Sequence, residues 1–137
     1  MSVTARSLAN YQVQISAGNH TYIADEPLGI GDDAGPDPYA LLLGALGSCV
    51  VITLHMYARR KGWPLDSVEI ELDIHHEEPD KNSAALPAQR VAVIDKQITF
   101  NGELSPEQIQ RLLEIAERCP VQRTLMGEIR IESRLKT

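Results

Sequence analysis

The sequence has few aromatic residues, few cysteines and no excess of positive charge, and each shortage narrows the possible classes of protein. Aromatic side chains make up only 4% of the 137 residues. The core must therefore consist mainly of Leu, Ile, Val and Ala. The formal net charge is −6, which argues against nucleic acid and against an anionic membrane surface as main partners. The chain opens without a basic and apolar leader, so we expect a cytoplasmic protein.

Cysteine occurs only twice, as Cys49 and Cys119, and histidine four times. Neither residue type shows a CxxC or HxxxH spacing, so we expect no metal site. A permanent disulfide is uncommon in the cytoplasm. Two explanations stay open from the residues alone. The cysteines are either two unrelated buried thiols, or a pair that meets in space and cycles between thiol and disulfide.

The length and composition predict one folded domain over residues 1–137. Hydrophobic residues make up 43% of the chain, which excludes an intrinsically disordered protein. A chain of this length buries a sizeable core. No internal repeat or linker divides the sequence.

A long apolar stretch predicts a central helix from Pro38 to Lys61. Asp37 suits the N-cap and Pro38 the first helical position, while Gly62 and Pro64 mark the end. The stretch is apolar on nearly every side, so we expect it to be buried on nearly every side. It is long enough to span a bilayer, but its glycines and polar residues favour a core helix, and no membrane partner is expected.

Small residues cluster on this helix just before the first cysteine. Gly44, Ala45, Gly47 and Ser48 precede Cys49. Glycine within a helix costs about 1 kcal/mol relative to alanine, so two glycines here indicate that a bulky group approaches the backbone closely. We expect two central helices to pack together in a homodimer.

The rest of the chain alternates between strand and helix patterns. Residues 3–15 show the period of two that is typical of a strand, and residues 20–24 are its predicted hairpin partner. Further strands are predicted over residues 68–74 and 91–100, with a loop over 77–89, and a last strand over 128–135. Ser105 and Gln108 form a predicted capping box for a second helix, and residues 121–126 a short helical turn. The order favours an α+β fold, with antiparallel sheets and a long central helix.

Two segments resemble the OsmC-like family, which includes the organic hydroperoxide resistance proteins. GPDPYALLLGALGSC, residues 35–49, is similar to that family's GPTPYELLLASLGSC-type segment. RCPVQRTL, residues 118–125, is similar to its C-P-V-H-[RK]-T-L segment. Residues 25–27 and 60–65 also fit, in order and at the expected separations.

This resemblance implies an intertwined α+β homodimer with two equivalent sites at its interface. It implies a thiol-dependent peroxidase that prefers organic hydroperoxides, with Cys49 as the peroxidatic and Cys119 as the resolving cysteine. An external thiol would regenerate the pair, and no metal or organic cofactor would be required.

The chain departs from the family pattern around these cysteines. Active peroxidases of the family use an arginine to stabilise the thiolate and a glutamate, near the start of the central helix, to hold that arginine. Here Tyr39 and Ala40 occupy the corresponding helix positions, and Gln122 replaces the usual histidine. Arg6 is the only arginine before Cys49 and is therefore the candidate catalytic arginine. The alternative is therefore a protein of the same fold that binds a small molecule or senses redox state without efficient turnover.

The remaining candidate site residues lie on the second predicted strand and on the central helix. His20 is a candidate to stabilise a thiolate or to accept the thiol proton, and the alternative is a surface histidine. Tyr39, Leu46 and Thr53 are candidate substrate-binding residues.

Overall fold

The computed structural model describes residues 1–78 and 90–136, so most of the predicted loop over residues 77–89 lies outside the described part. The chain divides into two compact units, Met1–Gly44 and Ala45–Thr137. Its helices and strands, in chain order, are β1 Val3–Ser7, β2 Val13–Ala17, β3 His20–Ala24, α1 Pro38–Lys61, β4 Ser67–Glu77, β5 Val91–Asn101, α2 Pro106–Ala116 and α3 Pro120–Met126. The α+β class and the antiparallel pairing are confirmed.

The first unit contains an antiparallel sheet in the order β1-β2-β3. The prediction of one strand over residues 3–15 is wrong, because the chain turns between Ser7 and Val13. The Leu8 N–H donates to the Gln12 carbonyl at 2.9 Å, and Asn10 has a φ of 53°. Asn tolerates this left-handed conformation better than most residues. The alternation in the sequence continues through the turn and conceals it.

Asp25 organises the loop that joins β3 to α1. Its side chain is buried, with 3% exposed, and accepts the backbone N–H groups of Glu26, Asp32 and Ala34 at 2.7, 3.2 and 3.0 Å. The Ala34 N–H lowers the pKa of the Asp25 carboxyl the most; burial opposes this effect, and the Glu26 and Asp32 N–H groups add to it. The carboxylate therefore replaces regular secondary structure in holding this loop.

Helix α1 begins and ends where the sequence predicts. The Asp37 carboxylate accepts the Ala40 N–H at 2.8 Å, which caps the helix. At the other end Gly62 adopts a φ of 70°, and the Trp63 N–H donates to the Ala58 carbonyl at 2.9 Å.

Within a single chain, α1 is buried on one side only. One side enters the core; its buried residues are Leu46, Gly47, Val50, Leu54, Tyr57 and Ala58. The other side carries an exposed stripe, which we define as Ala45, Ser48, Ile52 and Met56, spaced three or four residues apart. By length and composition alone, α1 could cross a membrane, but the core helices of soluble proteins meet the same criteria.

The second unit packs the buried side of α1 against the hairpin of β4 and β5. The two strands pair over their full length, with Ile70 opposite Ile98. A side chain added at Gly47 would place its Cβ 2.8 Å from Leu72 Cδ1. The close approach predicted beside the small residues therefore occurs, and at Gly47 the approaching group is a leucine of β4.

Helices α2 and α3 complete the second unit. Ser105 and Gln108 form the predicted capping box, since each side chain accepts the other's backbone N–H, at 3.1 and 2.9 Å. The predicted strand over residues 128–135 is wrong, because no strand forms there. A strand needs a hydrogen-bonded neighbour, and the described part of this chain provides none for this segment. Its apolar side chains Ile129, Ile131 and Leu135 stay exposed.

Candidate functional site

The two cysteines meet in the second unit although they are far apart in sequence. Cys49 lies on α1 and is half-buried, whereas Cys119 is fully buried. Cys49 packs against the hydrophobic cluster that contains Cys119. Both are free thiols, and they are close enough for Cys49 to affect the ionisation of Cys119.

Cys119 is held at the break between α2 and α3. It is the N-cap of α3, with Pro120 next to it, and its sulfur accepts the Gln122 N–H at 3.2 Å. The pKa of the Cys119 thiol is raised, and burial is the largest cause. The Gln122 N–H opposes this shift, whereas the hydrogen bond with Cys49 and the charge of Cys49 add to it. At neutral pH Cys119 is therefore a thiol, and its ionisation depends on the contact with Gln122.

The predicted substrate-binding residues on α1 differ in environment. Leu46 is 3% exposed and belongs to the hydrophobic cluster that Cys49 packs against. Thr53 is half-buried, and Tyr39, in the first turn of the helix, is 55% exposed. Their assignment to substrate binding stays a prediction.

Arg6 and His20 lie in the sheet of the first unit. Arg6 on β1 is exposed and donates from Nη2 to the Gln14 side-chain oxygen at 2.5 Å. His20 is the first residue of β3, lies opposite Ala17 and is also exposed. Their roles in thiol chemistry stay predictions.

Three polar side chains near Cys119 form a group that the sequence analysis does not predict. Lys96, Glu117 and Gln122 contact one another through their side chains. Lys96 occupies a position between Ile94 and Ile98 where the strand period calls for an apolar residue. This interruption of the apolar pattern is the one feature of the sequence that could have pointed to the group. Within residues 1–78 and 90–136, no three His, Cys, Asp or Glu side chains are grouped as metal ligands.

Comparisons with known proteins agree with this fold. A family model described as OsmC-like protein matches residues 31–134. No curated protein sequence matches the chain.

Several solved structures are similar to the chain along most of its length. An OsmC-like protein from Mycoplasma pneumoniae is 19% identical with a TM-score of 0.70, over 92% of this chain and 86% of that one. An organic hydroperoxide resistance protein OsmC from Legionella pneumophila is 17% identical with a TM-score of 0.65, over 92% and 88%. An organic hydroperoxide resistance protein from Elizabethkingia anophelis, with thiocyanate bound, is 15% identical with a TM-score of 0.65, over 93% and 89%.

Proposed function

Since the chain belongs to the family of OsmC-like proteins, we propose that it is a thiol-dependent peroxidase that reduces organic hydroperoxides through Cys49 and Cys119. The observation that carries the proposal is the meeting of these two free thiols inside one apolar cluster. The names of the Legionella and Elizabethkingia proteins support a role in resistance to organic hydroperoxides.

The first step belongs to Cys49, which is the less buried of the two thiols. Its thiolate attacks one oxygen of the hydroperoxide, so that a sulfur–oxygen bond forms and the oxygen–oxygen bond breaks. Cys49 becomes a sulfenic acid, and the alkoxide takes up a proton and leaves as an alcohol. The apolar side chains around the pair suit the organic part of such a substrate better than they suit hydrogen peroxide.

The second step belongs to Cys119. Its sulfur attacks the Cys49 sulfur, so that a disulfide forms, the sulfur–oxygen bond breaks and water leaves. An external dithiol then reduces the disulfide by thiol exchange, which restores both thiols. The cycle requires no metal or organic cofactor.

We assign the protein to the cytoplasm and to a homodimer. The exposed stripe of α1 supports the second assignment, because the large apolar side chains Ile52 and Met56 on it are 57% and 68% exposed. The exposed apolar residues after α3 support it as well.

The test is a count of free thiols after one equivalent of cumene hydroperoxide, together with intact mass. Wild type is expected to lose both thiols and two mass units, which corresponds to one disulfide. Cys49→Ser is expected to keep its remaining thiol, and Cys119→Ser to stop at a sulfenic acid that dimedone captures. Survival of both wild-type thiols in a large peroxide excess would refute the peroxidase proposal.

A second candidate function is a protein that binds a small apolar or thiol-reactive molecule without reducing peroxide. The full burial of Cys119 favours it, since a buried thiol with a raised pKa would be slow to resolve an oxidised Cys49. The same thiol count separates the two functions, because a binding protein would leave both cysteines reduced.

A further inference from the structure

Lys96 is an unusual residue for the inner face of the β4–β5 hairpin. Ile94, Ile98 and Phe100, at alternate positions of β5, pack against the hydrophobic core. The Lys96 side chain shares their face and is only 12% exposed. A charged group in such surroundings is destabilising unless it is paired, so its partners determine why it is tolerated.

Lys96 belongs to a closed set of three side chains, which we call the Lys96 network. Lys96 Nζ donates to Gln122 Oε1 at 2.5 Å and to Glu117 Oε1 at 3.3 Å. Gln122 Nε2 donates to Glu117 Oε2 at 2.6 Å. The hydrogen bond from Gln122, and then the Lys96 ammonium, hold the pKa of the Glu117 carboxyl below its usual value against the effect of burial. One positive and one negative charge are thus balanced through a shared amide.

Two members of the network flank Cys119 in the sequence. Glu117 precedes Cys119 by two positions and Gln122 follows it by three, so both sides of the break between α2 and α3 are tied to β5. The side chain of Gln122 is fixed by the network, while its backbone N–H donates to Cys119 Sγ. Gln122 therefore takes part in the network through its side chain and donates to Cys119 Sγ through its backbone N–H.

We propose that Lys96, Glu117 and Gln122 are positioning residues that keep the Gln122 N–H aimed at Cys119 and so set the rate at which Cys119 resolves oxidised Cys49. This inference rests on the proposed peroxidase cycle. In the resolving step Cys119 loses its proton and attacks the Cys49 sulfur. A disulfide bond forms, the sulfur–oxygen bond of the sulfenic acid breaks, and the departing hydroxide takes up a proton to become water.

The main test variant is Gln122→Ala, which removes the side chain from the network and keeps the backbone N–H. Lys96→Met removes the cation, and Lys96→Arg keeps a cation and its donors. Lys61→Met makes the same Lys→Met change at an exposed position outside the network. Melting curves of all four variants establish that they are folded.

The first measurement needs no peroxide. In a Cys49→Ser background, the pH midpoint of iodoacetamide alkylation reports the ionisation of Cys119, while the plateau rate at high pH reports the access of the reagent to this buried thiol. If a charge-assisted hydrogen bond is loosened, Gln122→Ala and Lys96→Met are expected to have midpoints at higher pH and, relative to their own plateau rates, to react about threefold to tenfold more slowly at pH 8. Lys96→Arg and Lys61→Met are expected to follow the parent profile. Identical profiles for all of these proteins would overturn the inference without touching the proposed function.

The second measurement follows one turnover with cumene hydroperoxide in the presence of dimedone. Gln122→Ala is expected to accumulate more dimedone adduct on Cys49 and to form disulfide more slowly, while sulfenic acid forms at the wild-type rate. Wild-type disulfide formation in Gln122→Ala and Lys96→Met would overturn the positioning role. If the wild type forms neither dimedone adduct nor disulfide, the proposed cycle and the inference that rests on it both fail.

Discussion

Asp25 shows at the scale of one residue how a loop without secondary structure is fixed. Among the described residues, Asp25 is the one charged residue that is buried, and three backbone N–H groups surround its carboxylate. A carboxylate that accepts several backbone N–H groups is stabilised in its charged form, which agrees with its lowered pKa. Asp25 therefore acts as a cap for the backbone of this loop.

We expect Asp25→Ala to lower the melting temperature at pH 7, because three backbone donors lose their acceptor. The pKa of Asp25 is lower in the folded than in the unfolded chain. Its contribution is therefore fully present above the unfolded value of about 4 and is lost as the pH falls through the folded value. Thermal unfolding at pH 7 and at pH 3 should show a difference between wild type and variant that shrinks in acid.

The matched control for this prediction is Asp66→Ala, which removes an exposed aspartate. It should leave the melting temperature at pH 7 nearly unchanged. A difference between wild type and Asp25→Ala that stays constant from pH 7 to pH 3 would contradict the role assigned to the charged form of Asp25.

The contacts of Lys96 could not be predicted from the sequence. Cys49 and Cys119 stand out in the sequence because only two cysteines exist and each lies in a recognisable segment. Lys96 is an ordinary residue in a predicted strand, and its importance depends on contacts with Glu117 and Gln122, more than twenty positions away. The alternation of β5 predicts which face a side chain takes, but not which distant polar groups meet it there.

At the scale of the element, α1 divides into one buried and one exposed side, and its two glycines lie in different surroundings. A Cβ at Gly47 would lie 2.8 Å from Leu72 Cδ1, whereas a Cβ at Gly44 would meet no atom within 4 Å in the described structure. The same substitution at the two positions therefore separates close packing from helix propensity.

We expect Gly44→Ala to stabilise the protein more than Gly47→Ala does. Overpacking a core costs about 1–3 kcal/mol, while replacing a helical glycine by alanine gains about 1 kcal/mol. At Gly47 the two effects oppose each other, because the added methyl group forces the terminal methyl of the Leu72 side chain to shift, and this cost offsets part of the gain. At Gly44 only the gain applies. Urea unfolding of both variants measures the difference, and equal free energies of unfolding would contradict the packing argument.

Helix ends are predicted well from the sequence because their signals are local. Asp37, Ser105 and Gly62 each act on backbone groups a few residues away, and all three function as predicted. The missed turn at Asn10 and the wrong strand over residues 128–135 have a different origin. Strand patterns describe which side chains share a face, but a strand exists only where another segment supplies its hydrogen bonds.

At the scale of the whole molecule, the exposed apolar residues of α1 support the proposed homodimer. Ile52 and Met56 lie one turn apart on the exposed stripe of α1, and small residues on the same stripe leave room for a neighbouring backbone. Apolar surface of this kind on a central helix is typical of an interface. Two-fold symmetry would bring the same stripe of both copies together, so each substitution would act twice.

We therefore expect Ile52→Asp combined with Met56→Asp to convert a homodimer into a monomer. Full burial of one large apolar side chain contributes about 1.5–3 kcal/mol, and in a symmetric pair four such side chains are lost. Even if partial burial reduces this sum, the dissociation constant should rise at least about 100-fold, since about 1.4 kcal/mol corresponds to a factor of ten. Sedimentation velocity across a concentration series measures the change. Met126→Asp makes a matched change at a methionine that is 81% exposed outside the stripe, and it should leave the dimer intact. A wild type that sediments as a monomer at tens of micromolar, or a double variant that stays dimeric, would refute the interface on α1, because the stripe would then not be covered by a second copy of the chain.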